Sequence, residues 1–209
     1  MNDSKIIWER YLKLNESLDI DNQYENYLKN KDFKSLKELI DIKRNEKGYV
    51  TGPVYHGTNK QFTVFRPNIA EGLGKGIYFT TDKNITSEYG NTVMSVYIKF
   101  ENPFEGVFPK DKIIKNTNTY KNAQQEYTNS HFIDEESGEL DWYELSLENA
   151  RFINDLIREL GFDGFLQEIE ILAFYPNQVK SSDIITYDDN GNVIPLSKRF
   201  DSSKNDIRF

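Results

Sequence analysis

The chain has no cysteine. That excludes disulfides, a thiol nucleophile and any cysteine-ligated zinc. Histidine is nearly as scarce: only His56 and His131 occur, so a multi-histidine metal centre cannot be assembled and no metal is expected. No long lysine or arginine run is present, and 34 acidic against 26 basic residues leave a net charge of −8. Such a surface repels phosphate backbones over most of its area, which argues against a nucleic-acid partner. No apolar run approaches the length of a membrane span. Residues 1–20 carry Asp3, Lys5, Glu9, Arg10 and Lys13 without an apolar core. They do not read as a signal peptide, and a soluble cytoplasmic protein is expected.

What is there favours one folded domain. At 209 residues the chain is long enough for a sizeable core and an appendage, but short for two full domains. Fourteen phenylalanines and 13 tyrosines supply rings both for that core and for stacking on a ligand.

Residues 1–48 read as a helical extension. Ile6, Ile7, Tyr11 and Leu14 recur at helical spacing, a second helical segment runs over 32–40, and Gly48, Gly52 and Pro53 punctuate its end. The main domain is expected over 49–209. Strands are expected at 54–56, 76–80 and 92–100, with a strand or turn over 62–65 and a short helix ending at Gly90. The stretch 104–143 is polar and reads as an insertion or long loop. A helix capped by Ser146 is expected to run to Leu160, followed by short strands at 164–166, 170–174 and 184–187. Short strands outnumber helices after residue 50, so an α+β fold is expected rather than a doubly wound parallel sheet.

Chemistry-bearing residues crowd into 55–90. Tyr55-His56-Gly57-Thr58 is followed by Gly74-Lys75-Gly76-Ile77-Tyr78-Phe79 and then by Thr86-Ser87-Glu88-Tyr89-Gly90. The glycine run that begins at Gly72 lacks the Lys-Ser/Thr ending of a nucleotide-triphosphate loop, and a strand rather than a helix follows it. Taken singly, His56 reads as a half-buried strand histidine, and Tyr78 and Tyr89 as packing residues. Later, Glu170 opens the apolar run Ile171-Leu172-Ala173-Phe174, an awkward place for a carboxylate unless it faces a cleft. Glu168 lies two residues earlier, so on an extended chain it points the same way as Glu170.

In this order and spacing the motifs resemble the His-Tyr-Glu branch of the ADP-ribosyltransferase superfamily, to which diphtheria toxin and the poly-ADP-ribose polymerases belong. They are most similar to the transferase domains of phage and mobile-element polyvalent proteins. The resemblance spans about 50–187 and also takes in the tail from Ser197 to Phe209. It implies split, curved, mainly antiparallel sheets around an NAD cleft. NAD is then a consumed co-substrate, with no permanently bound cofactor.

The resemblance further implies that His56 bonds ribose hydroxyls and that Gly57 and Thr86 serve the nicotinamide carboxamide. Tyr78 and Tyr89 would sandwich the ring, with Thr58 and Gly76 completing the NAD-binding set. Glu170 would act at the nicotinamide ribose, so His56, Tyr78 and Glu170 form the catalytic triad, and Glu168 is a candidate for positioning an acceptor. The expected activity is mono-ADP-ribosyl transfer to a macromolecule, most simply a protein. NAD glycohydrolysis, or an inactive transferase fold that only binds, are the alternatives.

Overall fold

The computed structural model describes the backbone of residues 3–70 and 73–209 and the side chains of residues 16–68 and 73–209. The apolar stripe Ile6, Ile7, Tyr11 and Leu14, and Gly72 of the glycine run, lie outside the described side chains. Two helices open the chain, α1 (Asp3–Asn30) and α2 (Phe33–Glu46). Asp32 caps α2 by accepting from the Ser35 N–H. Tyr24, Leu36 and Ile40 bury one side of this pair against Leu196 and Phe200 near the other end of the chain. The Ser197 hydroxyl donates to Asp21 at 2.6 Å. The helices are therefore fastened to the C-terminal segment.

Among the described residues there are seven strands. They are β1 (Thr51–Thr58), β2 (Asn68–Ala70), β3 (Gly74–Thr80), β4 (Thr92–Ile98), β5 (Gly164–Leu166), β6 (Glu170–Ala173) and β7 (Val179–Ser181). Six form an antiparallel path in the order β5-β6-β3-β1-β4-β7, and β2 pairs with β3. β1 matches β4 continuously from Val54↔Val96 to Thr58↔Thr92, but it meets β3 at one pair, Tyr55↔Thr80. The N-terminal half of that β3 edge is taken by β2, through Asn68↔Gly76 to Ala70↔Gly74. The sheet thus parts between β1 and β3, and the fold is the split, curved α+β architecture expected.

Each face of the sheet carries its own core. Alternation puts Val54, Ile77, Phe79, Val96, Ile171 and Ala173 together on one side. On the other, Leu172 joins Phe165 and Phe174 beneath Ile153 and Ile157, with Tyr78 at its margin. The last two apolar residues belong to α6 (Ala150–Glu159).

Several local expectations are corrected. The stretch 104–143 is not a long loop: it holds α3 (Asp111–Ile114) and α4 (Asn118–Glu126) and runs into α5 (Trp142–Glu148). Its apolar residues Ile114, Tyr120, Phe132, Leu140 and Trp142 converge into a cluster with Leu145 of α5 and with Phe152 and Leu156 of α6. The helix expected from Ser146 to Leu160 is two helices broken at Asn149. There the Asn149 side chain accepts from the Arg151 and Phe152 N–H groups. Ser146 caps nothing, because its hydroxyl donates back to the Tyr143 carbonyl.

Residues 184–187 form no strand beyond a single bridge, Tyr187↔Val193. The Ile184 carbonyl is instead occupied by Arg199 and Tyr24. The closing strand is β7, selected by distant pairing with β4 through Ile98↔Val179. The tail folds back, with Ile207 buried in the first core and hydrogen-bonded to Thr63 and Ser181. The 62–65 stretch holds only one bridge, Val64↔Asp206.

Candidate active site

Gly57 marks the centre of the candidate site, two residues past the place where β1 pairs with β3 and therefore on the side of Tyr55 and Thr80. A Cβ on Gly57 would collide with the Thr86 carbonyl oxygen and crowd Tyr89. Only glycine therefore lets the 3-10 turn Lys83–Glu88 lie directly on β1. That close approach brings Tyr89 beside Gly57, where the residue stays 67% exposed. The ring offers a free aromatic surface next to bare backbone.

Tyr78 projects from the same side. Its neighbours Ile77 and Phe79 enter the opposite core, and Tyr78 lies against Leu172 and Leu73. Its hydroxyl donates to the Gly74 carbonyl at 2.6 Å. That bond fixes the ring over a stretch where Gly76 has no room for a Cβ, because the Leu172 side chain occupies the space. Burial pushes the Tyr78 phenol up to about 12, and the nearby Glu170 charge adds to the effect. Tyr78 is therefore a neutral ring with its hydroxyl turned inward.

Glu170 completes this face. It pairs with Thr80 across the β3–β6 ladder, while Leu172 pairs with Tyr78, so all four share a side. Its side chain is exposed and accepts no hydrogen bond or ion pair from any described residue. Glu168 is different. It sits in the bend between β5 and β6 rather than on an extended chain, so the alternation that would align it with Glu170 does not apply.

His56 alternates to the other side, where its ring meets Phe62, Phe65 and Phe79 edge-on or tilted at centroid distances of 5.1–6.2 Å. Its Nδ1 lies 2.8 Å from the Tyr78 carbonyl oxygen. That oxygen only accepts, so Nδ1 carries the hydrogen and Nε2 keeps a lone pair. The side chain thus fills the hydrogen-bond position that β1 leaves as it parts from β3. Burial holds the His56 pKa below its ordinary value, against the opposing pull of the Tyr78 carbonyl, so the ring is neutral at pH 7.

Two expected contributors are engaged locally. The Thr86 hydroxyl, 1% exposed as a residue, donates to the Lys83 carbonyl at 2.6 Å. Thr58 Oγ1 accepts from the Lys60 N–H. The sequence reading missed the supports: the phenylalanines around His56, the Gly74 carbonyl, and Asn154 of α6. Asn154 is 2% exposed and donates to the carbonyls of Leu73 and Lys75, on either side of Gly74. The only signal for it was a polar residue on the apolar side of a helix.

A concavity of about 540 Å³, lined among others by Lys47, Lys198 and Lys204, involves none of the site residues. On the surface of the helical segment, ligand atoms of His131, Glu144 and Glu148 lie within 4.8 Å of one another, all on exposed residues.

The split sheet leaves tyrosines, a bare glycine and an open carboxylate together on one face. Residues 45–186 match the family of ADP-ribosyltransferase domains in polyvalent proteins, and the chain belongs to that family. No curated protein and no solved structure matches the chain.

Proposed function

We propose that this chain consumes NAD and transfers its ADP-ribose to a macromolecular acceptor, with nicotinamide as the leaving group. One observation carries the reading: the Glu170 carboxylate has no partner among the described residues and shares its face with Gly57, Tyr78 and Tyr89. An exposed carboxylate close to Tyr78, on a face that also carries Tyr89, suits a cationic pyridinium ribose better than it suits a fold contact.

The roles assigned here are those the family resemblance implies, and the placement of the residues supports them. Tyr78 and Tyr89 flank the nicotinamide ring, and the Gly57 backbone meets its carboxamide. His56 accepts from a ribose hydroxyl through Nε2, the atom its contact with Tyr78 leaves available. The nicotinamide–ribose bond breaks with its electron pair going to the ring, which discharges the pyridinium. Positive charge then develops on the sugar, as in glycoside cleavage, and Glu170 opposes it while accepting from the 2-hydroxyl. The acceptor forms the new bond to the ribose carbon and gives up its proton. If water takes that place, the product is free ADP-ribose.

The test uses NAD labelled on the adenylate, with and without bacterial lysate, for the full chain and for Glu170→Gln. The wild type is expected to release nicotinamide and move label to a macromolecule. Glu170→Gln is expected to lose about 100-fold or more in kcat, in line with removal of one electrostatic stabiliser. Its melting temperature should stay that of the wild type, because the carboxylate makes no hydrogen bond or ion pair with a described residue. Label recovered only as ADP-ribose would make the chain a glycohydrolase. Wild-type transfer by Glu170→Gln would remove Glu170 from the mechanism.

A further inference from the structure

Glu170 opens β6, and its direction depends on the turn before it. Residues 167–169 are exposed, with Ile169 at 54%, so no core packing holds that turn in place. Hydrogen bonds do. The Gln167 N–H donates to the Glu170 carbonyl at 3.2 Å, closing the hairpin. The other fastening comes from outside it, from one residue just past β3. Thr81 donates its backbone N–H to the Ile169 carbonyl at 3.1 Å and its hydroxyl to the Glu168 carbonyl at 2.9 Å.

These bonds extend the β3–β6 ladder past its last register pair, Thr80↔Glu170. Two consecutive carbonyls immediately before Glu170 are thereby tied to one residue on the strand that carries Tyr78. A residue that merely ended β3 would contribute the backbone bond alone. The hydroxyl adds a second bond from a different direction, which stops the turn from pivoting about the first.

We propose that Thr81 is a positioning residue for Glu170. Its hydroxyl holds the 168–169 turn so that the carboxylate stays fixed relative to Tyr78. The proposal rests on Glu170 acting in NAD cleavage. A carboxylate that must oppose charge developing on a sugar carbon is sensitive to small displacements. One that only contributed to NAD binding would not be. Loss of the Thr81 hydroxyl should therefore appear in kcat.

The experiment compares the full-length wild type with Thr81→Val, Thr81→Ser and Glu170→Gln, reading nicotinamide release from NAD. Valine keeps the shape and the N–H bond but removes the hydroxyl, and serine keeps both bonds. Thr81→Val is expected to lower kcat about tenfold while KM for NAD moves less than about threefold, and Thr81→Ser to restore kcat. Amide hydrogen exchange gives a readout that needs no activity. In Thr81→Val the amides of residues 81 and 167 should exchange faster, with those of β1 and β4 unchanged.

Wild-type kcat in Thr81→Val while Glu170→Gln is inactive overturns Thr81 alone, and so does unchanged exchange at residues 81 and 167. A kcat loss that serine does not restore also overturns it, since the hydroxyl would not be the cause. Full activity in Glu170→Gln removes the reading beneath, and Thr81's role with it.

Discussion

The face around Gly57 and the helical segment from 104 to 160 handle their polar groups in opposite ways. In the segment, polar groups close on one another. The Glu159 carboxylate accepts from the N–H groups of Asn118 and Thr119, Gln124 bonds Tyr120 and the Leu140 N–H, and Asn149 caps α6 while bonding Tyr127. On the face, Glu170 has no partner among the described residues, Tyr89 stays exposed, and β1 leaves β3 after one pair. Water satisfies the exposed groups of this face, so they remain available to the ligand proposed above, whereas those of the segment are committed to the fold. The two regions should therefore respond differently to substitution, with chemistry lost on one side and stability on the other.

The strongest probe of that separation is Leu145→Ala. Leu145 is fully buried in the helical cluster and touches none of the site residues. The substitution should cost about 2–5 kcal/mol in urea unfolding, through lost burial and an unfilled cavity. The kcat per folded molecule should stay within about twofold of wild type. A large kcat loss at full occupancy of the folded state would mean that the segment shapes the site directly. Asn154 gives a route for such coupling, since it holds the carbonyls of Leu73 and Lys75 beside the one that orients Tyr78.

His56 is the place where the two behaviours meet, because it is held by the fold and still keeps Nε2 available. Its pKa in the folded state is below the ordinary 6.5 because of burial. The unfolded chain then takes up a proton more readily than the folded one. The stability that depends on a neutral His56 is fully present above about pH 6.5 and is lost as pH falls through the folded value. Each unit of depression corresponds to about 1.4 kcal/mol. Melting temperatures from pH 7.5 to 5.0 should fall more steeply for wild type than for His56→Gln. Parallel curves would show that His56 does not titrate with folding.

The same contrast explains what was legible in the chain. β4 alternates cleanly from Thr92 to Ile98, and α2 announces itself by Asp32 and a regular apolar side, so local pattern sufficed for both. The site motifs were legible because glycine next to histidine, and tyrosine flanked by apolar residues, signal close approach and alternation without any partner. The helical segment was not, because its core is assembled from sparse residues such as Phe132, Leu140 and Trp142 that lie outside its most polar part. β7 was missed for a related reason: Val179–Ser181 becomes a strand only through β4. The bend at Glu168 belongs to a hairpin that Thr81 fastens from outside, through a contact 87 residues apart in sequence.

The break at Asn149 gives the smallest and sharpest test. An uninterrupted helix from Ser146 would place Asn149 in its interior, where replacement by alanine costs little or even helps. The structure instead makes Asn149 the N-cap of α6, accepting from Arg151 and Phe152 at 3.1 and 2.9 Å and donating to the Tyr127 hydroxyl at 2.8 Å. Asn149→Ala should then cost about 1 kcal/mol, the usual loss for a cap. Ser146→Ala should stay within about 0.5 kcal/mol, since its hydroxyl only returns to the Tyr143 carbonyl. Asn149→Asp separates the two bonds: it keeps the cap but loses the donor to Tyr127. Stability near that of wild type would assign the effect to capping, whereas a cost equal to that of alanine would assign it to the Tyr127 contact. Equal and negligible costs for all three variants would mean that α5 and α6 behave as one helix.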